Sequence, residues 1–144
     1  FSFTRQTHMR GLGDAIYSGK GLVGDEAFGV ILADDLCVNE DGENVLAQMV
    51  KIYEKYRCSI VAVMEVPKET ISSYGVIDGK FIEDDLIMVN DMIEKPDPKD
   101  APTNLAIIGR YILTPDIATP ELRQRIFLNE KHIKLCLHIF TMVL

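Results

Sequence analysis

"FGVILADD" (residues 28–35) decides how this sequence folds. Its first six residues form a short apolar run between Gly24-Asp25-Glu26 and the pair Asp34-Asp35, the pattern of a strand buried on both faces. Downstream, Val45, Leu46, Met49, Val50, Tyr53 and Tyr56 recur at spacings of three and four, while Gln48, Lys51, Glu54 and Lys55 fill the other side. That period predicts an amphipathic helix, with Asn44 placed to cap its first turn. "SIVAVMEV" (59–66) is a second apolar strand, and Pro67 stops it. Strand, helix and strand in this order make one βαβ unit, for which parallel pairing and a right-handed crossover are the default.

Beyond Pro67 the texture changes. Residues 74–77 and 86–93 read as strands separated by the turn signal Asp78-Gly79, which predicts an antiparallel excursion from the main sheet. "LAIIGRYIL" (105–113) is again strand-like, and Pro115-Asp116 is placed to open a helix running into 121–124. No repeat occurs, and no linker is long enough to split the 144 residues, so a single domain is expected over 1–144.

A net charge of −7 with no basic stripe argues against a general grip on nucleic acid, because such binding requires cations to displace phosphate counterions. No apolar run approaches a membrane span, and no signal peptide is recognisable, so no membrane partner is expected. Cys37, Cys58 and Cys136 are odd in number and widely spaced, which fits reduced core thiols in a cytoplasmic protein. His132, Cys136 and His138 match no common zinc spacing and lack a fourth ligand. Phe1-Ser2-Phe3-Thr4 reads as a strand joined midway, which suggests a fragment.

Several polar residues stand where chemistry is possible. Asp34-Asp35 follow the carboxyl end of a strand, where open α/β sheets bind ligands, and their oxygens suit magnesium; a solvated turn is the competing reading. Glu94-Lys95-Pro96 also ends a strand. Adjacent strand residues point to opposite faces, so these two share a ligand only if the chain bends there; otherwise they are a surface pair. Gly75 permits close approach of a ligand or marks a bulge. Asn104 offers an amide suited to sugar hydroxyls or closes an Asx turn. In "RQTHMRGLGDA" (5–15), Gln6 precedes the glycine pair Gly11 and Gly13, either a turn or a ligand-binding loop.

Taken in order, Gln6 with Gly11-Leu12-Gly13-Asp14-Ala15, the stretch 30–35, Tyr74-Gly75-Val76, Glu94-Lys95-Pro96 and the stretch 104–111 resemble the bacterial UTP-glucose-1-phosphate uridylyltransferases, a family of sugar-nucleotide pyrophosphorylases. The likeness runs from about Arg5 to Ile117, leaving 118–144 as an unmatched tail. It implies an α/β fold with a mainly parallel, Rossmann-like nucleotide-binding sheet flanked by helices. It also implies a reaction of UTP with glucose 1-phosphate that yields UDP-glucose and pyrophosphate by in-line attack on the α-phosphorus, aided by Mg2+. Such chemistry rests on positioning and electrostatics, so a catalytic histidine is not required. By the same resemblance Gln6 and Gly11 contact uracil, and Asp34 rather than Asp35 binds the metal. Gly75, Glu94, Asn104 and Ile107 surround glucose, and Lys95 meets the sugar phosphate. The family's glycine-rich triphosphate loop and second metal-binding Asp lie outside this sequence, so the chain alone is expected to turn over UTP poorly. The parent is expected to be a homo-oligomer. A thymidylyl- or adenylyltransferase of the same family and a non-catalytic nucleotide-sugar-binding domain are the alternatives.

Overall fold

In the computed structural model the described residues are 1–37, 42–117 and 133–138. Helix α1 (Leu12–Ser18) and the single turn α2 (Lys20–Val23) precede strand β1 (Phe28–Ile31). Helix α3 (Val45–Tyr56) leads into β2 (Ser59–Glu65), and β3 (Gly75–Glu83), β4 (Leu86–Glu94), β5 (Leu105–Leu113) and β6 (Ile133–His138) follow. The six strands form one sheet in the order β1-β5-β2-β6-β4-β3, with a further pairing of Val76 in β3 to Ala106 in β5.

The helix read from the period of three and four is α3. The side chain of Asn44 accepts the N–H of Ala47 at 2.8 Å, supplying one of the orphan donors of the first turn. At the other end Arg57 adopts a left-handed conformation and its N–H donates to the Tyr53 carbonyl at 2.8 Å. Glu83 then ties the end of the helix to the β3–β4 hairpin, accepting from Lys55 Nζ and Tyr56 Oη, each at 2.6 Å.

The α/β class with flanking helices holds, but the strand pairing differs from expectation. β5 lies between β1 and β2 and runs antiparallel to both. The two strands of the βαβ unit therefore share a direction without exchanging hydrogen bonds. Among the described residues only β2 and β6 pair in parallel, so this sheet is mainly antiparallel rather than mainly parallel. β1 is also an edge strand of the described sheet, not one buried on both faces: its residues alternate in exposure and Ile31 is 57% exposed. β2 takes the central role, with residues 59–63 buried in succession.

The hairpin is antiparallel as expected, but its turn is at Asp84-Asp85. Asp78-Gly79 instead forms an irregularity inside the ladder. A Cβ on Gly79 would stand 2.6 Å from Ile87 Cγ2 and 2.7 Å from the Met88 carbonyl oxygen, so this glycine serves close strand approach rather than a reversal. Pro115–Ile117 forms a 3-10 turn, and the helix expected beyond it falls outside the described residues, as does His132. Within 118–144, β6 inserts between β2 and β4.

Strand alternation sorts the core into two layers. Val61 and Val63 of β2 join Leu105, Tyr111 and Leu113 of β5 and Ile16 of α1 on one face. Ile60 and Ala62 join Ile108 and Ile112 and are covered by Val45 and Met49 of α3 on the other. Cys37 and Cys58 pack against this α3 layer. Between the pairs Val61↔Tyr111 and Val63↔Ile107, β5 carries two residues more than β2. Because the excess is even, the alternation of faces survives the bulge. Gly109 sits within it at φ 59, and its carbonyl accepts the Leu32 N–H at 2.9 Å, extending the pairing of β1 by one residue. Among the described residues no helix is long and apolar enough to cross a membrane.

Gly109→Ala is expected to cost at least about 2 kcal/mol in urea unfolding, because left-handed backbone disfavours a Cβ and the side chain of Asp35 occupies its place. Asn44→Ala, which removes only the cap, is expected to cost about 1 kcal/mol in the same measurement. Equal losses for the two variants would contradict this account of the bulge.

Candidate active site

The acidic turn beyond β1 is fastened to β5. After Leu32 the chain turns through Ala33 and Asp34, closed by the Asp35 N–H on the Leu32 carbonyl at 3.5 Å. Arg110, only 8% exposed, donates from Nη1 to the carbonyls of Leu32 at 3.0 Å and Gly109 at 3.1 Å, and from Nη2 to that of Asp35. A guanidinium buried in an apolar strand requires acceptors around it, and three backbone carbonyls supply them. The side chain of Asp35 fills the space that a Cβ on Gly109 would take. Burial raises its carboxyl above the ordinary range, the charge of Asp34 adds to this, and Arg110 partly offsets it. Asp34 is exposed and remains the carboxylate available to a cation.

A second group forms where β4 ends. Gly75 lies opposite Glu94 in the ladder, and the Lys95 N–H donates to the Tyr74 carbonyl at 2.9 Å. Lys95 has φ 44, so the chain does bend at this point, and its Nζ comes back to 3.8 Å from Glu94 Oε1. The other oxygen, Oε2, is buried without a hydrogen-bond partner among the described residues. Burial raises the Glu94 carboxyl and Lys95 lowers it. Such an orphaned acceptor is costly to bury and suits a ligand that brings donors.

Asn104 and Ile107 flank this group on β5 and its approach. The Asn104 carbonyl accepts the Val66 N–H at 3.0 Å, and its Nδ2 donates to the Val66 carbonyl at 3.4 Å, pinning the residue to the end of β2. Ile107 is half-buried opposite Val63. Tyr111 stands between the two acidic groups in an electrostatic sense: burial raises its hydroxyl strongly, followed by the charges of Asp35 and Glu94.

The third group is formed by the loop before α1 and the helix itself. Gln6 Nε2 donates to the carbonyl of Gly11 at 3.3 Å and to Asp14 Oδ2 at 2.8 Å. Gly11, at φ 93, precedes the helix, and Asp14 is 4% exposed. Gln6 and Gly11, singled out from sequence, are thus in direct contact.

The three groups share one side of the sheet. Ile16, Leu32, Ile107 and Tyr111 belong to the apolar layer beneath α1, as does Met92, two residues before Glu94 on the same face of β4. The opposite face is covered by α3. Sequence reasoning passed over Arg110, Gly109 and Asp14 as individual residues. A charge inside the apolar run 105–113 was the available signal for Arg110, since it had to find acceptors. Among the described residues no cluster of three or more His, Cys, Asp or Glu forms a ready-made metal cage.

Comparison with known proteins places this geometry in a family. The nucleotidyl transferase profile matches residues 1–136. A UTP-glucose-1-phosphate uridylyltransferase of Pseudomonas aeruginosa is 68% identical over 117 residues, covering 81% of this chain and 42% of that protein. One from Streptococcus pyogenes is 50% identical over 119 residues, covering 80% and 39%. The chain thus spans about two fifths of the length of these curated relatives. Among solved structures, a UDP-glucose pyrophosphorylase complexed with UDP-glucose superposes with a TM-score of 0.84 at 45% identity, covering 96% of this chain and 58% of that one. A UTP-bound enzyme from Acinetobacter baumannii superposes at 0.78 with 28% identity, covering 92% and 50%. The resemblance carried by the ordered motifs is borne out: the chain belongs to the nucleotidyl transferase family.

Proposed function

We propose that this chain forms the base- and sugar-binding part of a uridylyltransferase that makes UDP-glucose and pyrophosphate from UTP and glucose 1-phosphate. The observation that carries the reading is the buried, unpartnered Glu94 Oε2 beside Lys95. A carboxylate oxygen in that state suits a donor-rich, uncharged ring, and a lysine at its side suits the phosphate attached to such a ring. The names of the similar uridylyltransferases and the UDP-glucose bound by a similar pyrophosphorylase support the choice of substrates.

In this reading Gln6 and Gly11 meet the uracil, while Gly75, Glu94, Asn104 and Ile107 surround the glucose. Lys95 holds the sugar phosphate. An oxygen of glucose 1-phosphate attacks the α-phosphorus of UTP in line, forming the new P–O bond as pyrophosphate departs with the electrons of the bond that breaks. No side chain needs to take a proton, because the attacking oxygen is already an anion. The contribution of these residues is orientation and charge. The donor set fits magnesium held by one carboxylate, with phosphate oxygens and water completing its shell. Asp34 would hold it, since Asp35 is packed against Gly109 and electrostatically disfavoured. When bound, the ion neutralises charge on the phosphates. A cytoplasmic setting, which keeps the thiols reduced, completes the reading.

Calorimetric titration of the chain with UDP-glucose tests it. Glu94→Gln is expected to weaken binding by about tenfold to a hundredfold, the range for losing charge-assisted hydrogen bonds. Unchanged affinity would sink the reading. The pH profile supplies a second check. The Glu94 carboxyl titrates above its ordinary value of 4.5, and only its ionised form offers both oxygens as charged acceptors. Binding should therefore weaken as the pH falls through that raised range, and the Gln variant should lose this dependence.

A further inference from the structure

We infer that Asp14 sets the base preference of the site by fixing which end of the Gln6 amide faces the nucleotide. The inference rests on the reading of Gln6 as a base contact and adds to it a positioning residue that touches no ligand.

The two ends of a glutamine amide have opposite hydrogen-bonding character, and only the partners decide which way the group points. Here both partners of Nε2 are acceptors, the Gly11 carbonyl at 3.3 Å and Asp14 Oδ2 at 2.8 Å. A flipped amide would put its oxygen against both of these oxygens. Each of the two amide hydrogens is thereby used within the protein, and Oε1 is left as the face that can meet a ligand. Asp14 is itself held: it is 4% exposed, lies on α1, and its backbone carbonyl accepts from Ser18 Oγ at 2.8 Å.

An outward acceptor distinguishes pyrimidines at one atom. Uracil carries an N–H at N3 and can donate to Oε1. Cytosine carries a lone pair at N3, so two acceptors would face each other with neither satisfied. Thymine shares the N3 donor, and this contact does not see its methyl group. Asp14 therefore selects for an imide-type base and against cytosine while leaving sugar and phosphate recognition to the other two groups.

The test compares UDP-glucose with CDP-glucose, titrated calorimetrically into the chain and its Asp14→Asn variant. The wild-type protein is expected to bind the uridine form at least about tenfold more tightly, the discrimination available from one unpaired polar contact. An asparagine can pair with Gln6 in either amide orientation, so the variant should narrow that ratio about fivefold, the value of one ordinary hydrogen bond. Affinity for glucose 1-phosphate should not change, which a general loss of structure would not permit. An unaltered ratio in a folded variant overturns the inference and leaves the proposed function standing. Failure of the wild-type chain to bind either nucleotide sugar overturns the proposed function, and the inference with it. If the variant does not fold, UDP-glucose methylated at N3 decides the matter on the wild-type protein: binding as tight as the unmodified ligand would show that no acceptor faces N3.

Discussion

The buried guanidinium of Arg110 is the contact on which the site depends. A charge is costly to take out of water inside a β-strand unless acceptors meet it. The acceptors are backbone carbonyls of the turn that follows β1 and of Gly109 beside it. The same contact therefore satisfies the cation and places Asp34. Gly109 is the steric counterpart, since its missing side chain makes room for Asp35. The position of an exposed acidic residue is thus determined by a buried basic one and by an absence of atoms.

Division of labour between the faces follows from the even count of the β5 bulge. An odd excess would have set two successive β5 residues on one face and broken the alternation along the strand. With two, Ile108 and Ile112 both stay in the apolar layer against α3, and the opposite layer keeps Ile107 and Tyr111 together. This second layer is the apolar floor of the candidate site. Apart from Asp14 on α1 and Arg110 within β5, the site's polar members come from strand ends and loops, where the backbone is free to depart from regular geometry. Lys95 is the clearest case, because its left-handed backbone lets two successive side chains approach each other.

How much of this was legible in the sequence depended on the range of the interaction. Helix α3 and its Asn44 cap were readable because their signals lie within a few residues of one another. β2 and β5 were readable as uninterrupted apolar runs. The strand order was not, since nothing local in 28–35 or 59–66 announces that a strand from beyond residue 100 will separate them. Asp78-Gly79 misled for a related reason: the same dipeptide that reverses a chain also permits two strands to crowd, and only the partner strand decides. The bend at Lys95 that brings Glu94 and Lys95 together was open in the sequence, which allowed a surface pair as well. The pair Gln6 and Asp14 follows no helical or strand period, being held across a loop, and is joined only in the folded chain.

The insertion of β5 between β1 and β2 also governs the order in which the molecule can assemble. Phe28 pairs with Leu113, more than half the chain away, whereas β3 and β4 need only a tight hairpin. Local contacts close quickly and distant ones slowly, because the loop entropy must be met before the contact forms. The hairpin and α3 can form early, but the β1–β5 pairing must wait for the segment 105–113. On a ribosome the Asp34 turn would accordingly be among the last parts to take shape, after most of this chain had been synthesised.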